Sequence, residues 1–228
     1  MIKDFQTYIS EGLFDRNQSE FNIRKTDRGI EQVYIPSTKE ELFKYIDFNI
    51  EQAKKEGTYP NVNLNNIDVS ELGNYELDGL FSSKIYMINP DISNWDIKSI
   101  PSKFFDGNVK IKAFTIPNSV EKIGDNVFRN CINLESITIP DGVTSIGNDA
   151  FSNCNSLNSF TIPNSVESIG TWTFFNCYKL SSVTIGNSVT SIGSYAFGGC
   201  DKLTSVTLSK RCNIEKNSFP QNCKIIIK

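Results

Sequence analysis

No histidine occurs among the 228 residues, which removes the commonest general base and metal ligand together. Long apolar runs are missing as well. No stretch approaches the roughly 18 apolar residues that a membrane-spanning helix needs, so no membrane insertion is expected. The first residues, Met1-Ile2-Lys3-Asp4-Phe5-Gln6, lack the uninterrupted apolar segment of a secretory signal. With Met1 as the start, export by that route is not expected. Excess positive charge is absent too: 23 Lys and Arg stand against 26 Asp and Glu, a formal net charge of -3, and no nucleic-acid partner is expected. Glycine-rich phosphate loops and Cys-x-x-Cys pairs are lacking, and no acids are paired on a common register apart from scattered positions such as Asp125 and Asp149. Catalysis, a cofactor and a bound metal are therefore not expected.

What is present is repetition. Gly124, Gly147, Gly170 and Gly193 fall 23 residues apart, each preceded by isoleucine. Phe128, Phe151, Phe174 and Phe197 keep the same step, as do Leu134, Leu157, Leu180 and Leu203. A fixed period of this length marks a solenoid, in which each repeat buries its apolar side against its neighbours. Ser136-Ile137-Thr138-Ile139 and its copies alternate polar and apolar, the period of a strand with one buried face, so the stacked strands should form a parallel sheet. Pro140 and Pro163 close their strands, with Gly186 in that place one unit later. Counting back by the period puts Phe105, Ile111, Phe114 and Ile116 in the core as well.

The chain divides into four stretches. Residues 1–31 read as a leader helix and linker: Ile2, Phe5, Ile9 and Leu13 lie at helical spacing over 1–14, and 15–31 is polar and charged. Residues 32–60 read as a small N-terminal α/β cap. Val33-Tyr34-Ile35 is its strand, and its helix has an apolar stripe of Leu42, Ile46, Ile50 and Ala53. Residues 61–116 hold degenerate repeats, with Trp95-Asp96-Ile97 in a place like that of Ile67-Asp68-Val69. Residues 117–228 hold the regular repeats and end in the strand Ile225-Ile226-Ile227.

The unit Ile-Pro-x-x-Val-x-x-Ile-Gly-x-x-Ala-Phe-x-x-Cys-x-x-Leu, seen in Ile139 to Leu157, resembles the BspA-type leucine-rich repeat. Asp91 to Ile97 resembles the Asp-Ile-Ser-Asn-Trp-Asp-Val repeats of bacterial surface proteins. The resemblance implies a right-handed leucine-rich-repeat coil with a parallel β-sheet and short turns. It also implies a non-enzymatic module that binds protein or surface glycan, often in adhesion at a cell surface. The leader resembles those of proteins encoded by gut bacteriophages. That supports an alternative, a structural component of an assembly such as a phage particle, docked through the N-terminal helix. A phage particle or the cytoplasm is the alternative location.

Three sets of residues compete as a site. Cys131, Cys154, Cys177, Cys200 and Cys223 share one file, but a line of thiols does not offer the tetrahedral set that zinc takes, and buried cysteine behaves as a small hydrophobe. The resemblance implies that this position serves the backbone groups of the turn. Cys212, one period after Val189, is expected in the core, with a Cys212–Cys223 disulfide as the alternative. A hydroxyl face follows from Thr138, Thr161, Thr184 and Thr207 beside Ser136, Ser159, Ser182 and Ser205, either as ordinary exposed strand residues or as a surface for glycan. The third set is aromatic. Trp172 stands where other units have Asn126 and Asp149, Phe175 where they have Arg129, Ser152 and Gly198, and Tyr178 where they have Ile132, Asn155 and Asp201, with Tyr195 one unit on. These offsets predict exposed turn positions, and aromatics carry much of the energy at interfaces.

Overall fold

A computed structural model of the chain describes residues 20–26, 29–35, 42, 46, 55, 61–63, 89–93 and 95–228. The first described elements are the antiparallel strands β1 (Glu20–Thr26) and β2 (Gly29–Ile35), paired from Glu20 with Ile35 to Thr26 with Gly29, and β2 contains the expected strand Val33-Tyr34-Ile35. Sequence reading expects a linker over most of this stretch. Phe21 and Ile23 do alternate with polar neighbours, but the surrounding charge hides that period. Leu42 and Ile46 of the expected cap helix are helical and fully buried, and belong to the main hydrophobic cluster. Ile50, Ala53 and the leader helix expected over 1–14 lie outside the described residues.

The described residues from 95 onward form a parallel β-solenoid of about six coils. Two short strands, β3 (Asn61–Asn63) and β4 (Asn89–Asp91), pair in parallel ahead of it. Six two-residue strands then stack into one sheet: β5 (Ser99–Ile100), β7 (Lys122–Ile123), β9 (Ser145–Ile146), β11 (Ser168–Ile169), β13 (Ser191–Ile192) and β15 (Asn213–Ile214). On a second face, parallel pairs join β6 (Ala113–Thr115) to β8 (Ser136–Thr138), β10 (Ser159–Ile162) to β12 (Ser182–Ile185), and β14 (Ser205–Leu208) to β16 (Lys224–Ile227). Burial alternates along β10 and β12 as the period of two requires.

Phenylalanine forms the spine. Phe105, Phe128, Phe151, Phe174 and Phe197 are fully buried and stack with centroids 5.0–5.2 Å apart, and Phe219 continues the stack at 5.0 Å. That separation is close to the roughly 4.8 Å between neighbouring strands, so one ring per coil fits without tilting. Burying each ring contributes roughly 1.5–3 kcal/mol. The predicted core positions Ile111, Phe114 and Ile116 are buried too.

The glycine file has a steric cause. A Cβ on Gly170 would lie 2.6 Å from the carbonyl carbon of Gly147 and 2.7 Å from the Asn148 nitrogen, and Gly147 stands in the same relation to Gly124. Successive backbones touch here, and only hydrogen fits between them. The cysteine file satisfies backbone acceptors. The thiols of Cys131, Cys154, Cys177 and Cys200 donate to the carbonyls of Phe105, Phe128, Phe151 and Phe174 at 3.0–3.2 Å. Burial pushes the thiols of Cys131, Cys154 and Cys177 well above the ordinary range.

The last coil breaks the period. Asn213 pairs with Ser191, a step of 22, and Lys224 pairs with Ser205, a step of 19. Cys223, expected on the cysteine register, therefore falls beside Thr204 and is only half-buried. Cys212 does take the place of Val189, its amide donating to Ser209 as that of Val189 does to Gly186, but it is half-buried against the core. Both are free thiols. The final strand forms as expected, with Ile225, Ile226 and Ile227 exposed along it.

Candidate interaction site

Five coils turn through two residues with left-handed backbone, and the last through one. One file runs Lys103, Asn126, Asp149, Trp172, Tyr195 and Asn217, at φ between 53° and 59°, and the other runs Gly107, Asn130, Asn153, Asn176 and Gly199. The left-handed region costs an ordinary residue roughly 1–2 kcal/mol, least for glycine, asparagine and aspartate. Most members obey that preference. Lys103, Trp172 and Tyr195 are the exceptions, and the two aromatics fall on successive coils.

Both are exposed, Trp172 by 46% and Tyr195 by 39%. They rim an open groove of about 610 Å3 whose other lining residues are Arg129, Asn130, Asp149, Ser152, Asn153 and Phe175. Phe175 is half-buried rather than exposed, and its counterpart Ser152 is buried, so that file is not the exposed turn position the spacing predicts. Its ring lies over Gly198, where a Cβ would meet Phe175 Cδ2 at 3.1 Å and Tyr195 Cδ1 at 3.3 Å. The missing side chain of Gly198 is thus what seats both rings. Asn217 Nδ2 donates to the Tyr195 hydroxyl at 2.8 Å and ties that ring to the next coil. An adjoining depression of about 530 Å3 shares Phe175 and Tyr195 and reaches Phe219 and Pro220.

Tyr178, 48% exposed, does not line the groove. It continues a different file with Val109 and Ile132, exposed by 42% and 41%, which the spacing did not single out. Arg129 and Asp149 enter the groove although sequence reading treats them only as siblings of the aromatics. Arg129 lies two coils before Phe175 and Asp149 one coil before Trp172, and those offsets are the available signal.

The polar wall is largely self-engaged. Arg129 binds Asp106 through two bonds, Nε to Oδ1 at 3.0 Å and Nη2 to Oδ2 at 2.7 Å, and this pairing holds the guanidinium above its usual range. Asn153 Nδ2 donates to Asn130 Oδ1 at 2.8 Å. Burial holds the Asp149 carboxyl above the usual range, and attraction to Arg129 opposes it. Among the described residues no group of His, Cys, Asp and Glu is arranged to hold a metal, and no helix is long and apolar enough to cross a membrane.

The hydroxyl face lies elsewhere, on the second file of strands. Ser159 stands beside Ser182 and Thr161 beside Thr184 in register. Ser136, Thr138, Ser159, Thr161, Ser182, Thr184 and Ser205 are exposed, and Thr207 is half-buried.

No curated protein matches the chain. The crystal structure of a leucine rich cell surface protein from Faecalibacterium prausnitzii A2-165 is 29% identical, with a TM-score of 0.57, over 71% of this chain and 40% of that one. A leucine-rich repeat protein from Bacteroides ovatus ATCC 8483 is 21% identical, TM-score 0.55, over 94% of this chain and 55% of its own. The pneumococcal vaccine antigen PcpA is 25% identical, TM-score 0.50, over 67% and 40% respectively. The chain thus spans 40 to 55% of the length of these three. Residues 98–226 match the BspA type leucine rich repeat region in 6 copies, and with the coil-by-coil stacking described above they make the chain a member of the BspA-type leucine-rich repeat family.

Proposed function

We propose that this chain is a non-enzymatic binding module that holds a protein or a surface glycan in the groove between Trp172, Phe175 and Tyr195, with Tyr178 exposed nearby. One observation carries the reading. Two large aromatics occupy left-handed turn positions and remain exposed, where the preceding coils have Asn126 and Asp149. Neither the fold nor solubility favours tryptophan there, so a retained cost points to use. The likeness to a leucine rich cell surface protein supports a place at a cell surface.

The test is quantitative capture from envelope and soluble fractions of the source organism, comparing wild type with Trp172→Asn and Tyr178→Asn together. Both changes copy residues of sibling coils. Loss of a captured partner with an unchanged circular dichroism spectrum supports the groove. Equal capture by both proteins overturns it and favours the second surface, the in-register serines and threonines of β10 and β12, which Thr161→Lys with Thr184→Lys would then abolish.

A further inference from the structure

We infer that the groove takes a cationic side chain, the arginine or lysine of a partner protein, with its charge beside Asp149 and its stem against Trp172 and Tyr195. The inference rests on the reading of the groove given above and adds the chemistry of its occupant.

The walls divide by what they can still offer. Trp172 and Tyr195 present exposed rings, whose faces attract a cation within about 6 Å. Opposite them, the groups that would bind a neutral sugar already have partners. The guanidinium of Arg129 is bidentate to Asp106, and Asn153 donates to Asn130. The Tyr195 hydroxyl accepts from Asn217. The Asp149 carboxylate lines the groove, hydrogen-bonded to Ser152 and drawn toward Arg129, while Arg129 makes its salt bridge with Asp106. The lining holds one charge of each sign, Arg129 and Asp149, and Asp106, outside the lining, neutralises Arg129, so the three groups together leave one net negative charge beside two aromatic rings. An acidic partner would meet repulsion there, and a neutral glycan would find few unengaged polar groups. A long basic side chain matches both walls, because it joins an apolar stem to a charged head.

The full chain should be titrated with a capped Gly-Gly-Arg-Gly-Gly peptide, its citrulline counterpart and maltohexaose, following tryptophan fluorescence and heat of binding. Trp172 reports on the groove because the other tryptophan, Trp95, is buried. The expected result is saturable binding of the arginine peptide, roughly tenfold tighter than that of the neutral citrulline peptide. Asp149→Asn and Trp172→Asn should each weaken the arginine peptide by about tenfold. Equal affinity for arginine and citrulline overturns the cationic occupant, as does an Asp149→Asn variant with undiminished affinity. Should either occur while Trp172→Asn still abolishes binding, the groove stands and only its ligand chemistry falls. Maltohexaose bound at Trp172 and indifferent to Asp149→Asn assigns the groove to glycan instead. No response to the arginine peptide also overturns the inference, and the groove itself is then judged by the capture experiment.

Discussion

Left-handed turn positions in this solenoid are a residue-scale filter that favours asparagine, and two aromatics pass through it. Replacing Trp172 with Asn restores the residue type of Asn126 at the same φ and should raise unfolding stability by up to about 1 kcal/mol in urea denaturation. A loss of that size would mean instead that the indole packs more than its 46% exposure indicates. Asp149 carries a different cost. Its folded carboxyl titrates above the ordinary 3.8, so the folded state keeps the proton to higher pH than the unfolded chain does. That advantage is present at low pH and is lost as pH rises through the folded value. Asp149→Asn should therefore stabilise the protein at pH 7 and leave it nearly unchanged at pH 3, as judged by denaturation at both. The buried thiols act at the other end of the scale. Their folded values lie above the ordinary 9.0, so the unfolded chain ionises first and stability falls as pH rises beyond it. Each such thiol contributes a slope of about 1.4 kcal/mol per pH unit there. Cys177→Ala should flatten the decline above pH ~9 by about that amount.

The strands and turns are where legibility in the sequence divides. The regular coils were readable because a single steric demand, hydrogen at Gly124, Gly147, Gly170 and Gly193, recurs with the period. Gly170→Ala should cost about 3 kcal/mol, since both the Gly147 and Asn148 contacts are backbone and neither can step aside. Equilibrium denaturation checks this, and a loss below ~1 kcal/mol would mean that the coils can separate locally. In the last coil the closing strand is legible but the place of Cys223 is not, because it falls by coincidence on the 23-residue count while the pairing of Lys224 with Ser205 shortens that step to 19. Val33-Tyr34-Ile35 is legible as a strand and lies within β2, whereas β1 and its pairing lie outside the repeat and lack an Asn-Gly or Asp-Gly turn to mark them. In the groove, the aromatics were visible as departures from their siblings. The part of Arg129 and Asp149 was not, because it depends on which turn faces come together across two coils.

For the whole molecule, stability should behave as a sum of coils and the interfaces between them. Removing residues 117–139 joins Ile116 to Pro140, a proline like the one it now precedes, and lets Phe105 stack on Phe151. The shortened chain should fold cooperatively, with a denaturant m-value lower by about a tenth. A molten product without a cooperative transition would refute the additive picture. The same phenylalanine spine has a consequence for inheritance. Because each inner ring, from Phe128 to Phe197, meets an equivalent ring above and below, misaligned recombination between repeats of the gene yields another foldable protein whenever it adds or deletes whole units. Copy number can therefore drift between lineages with little penalty, while the coil that carries Trp172 is duplicated or lost as a single heritable block.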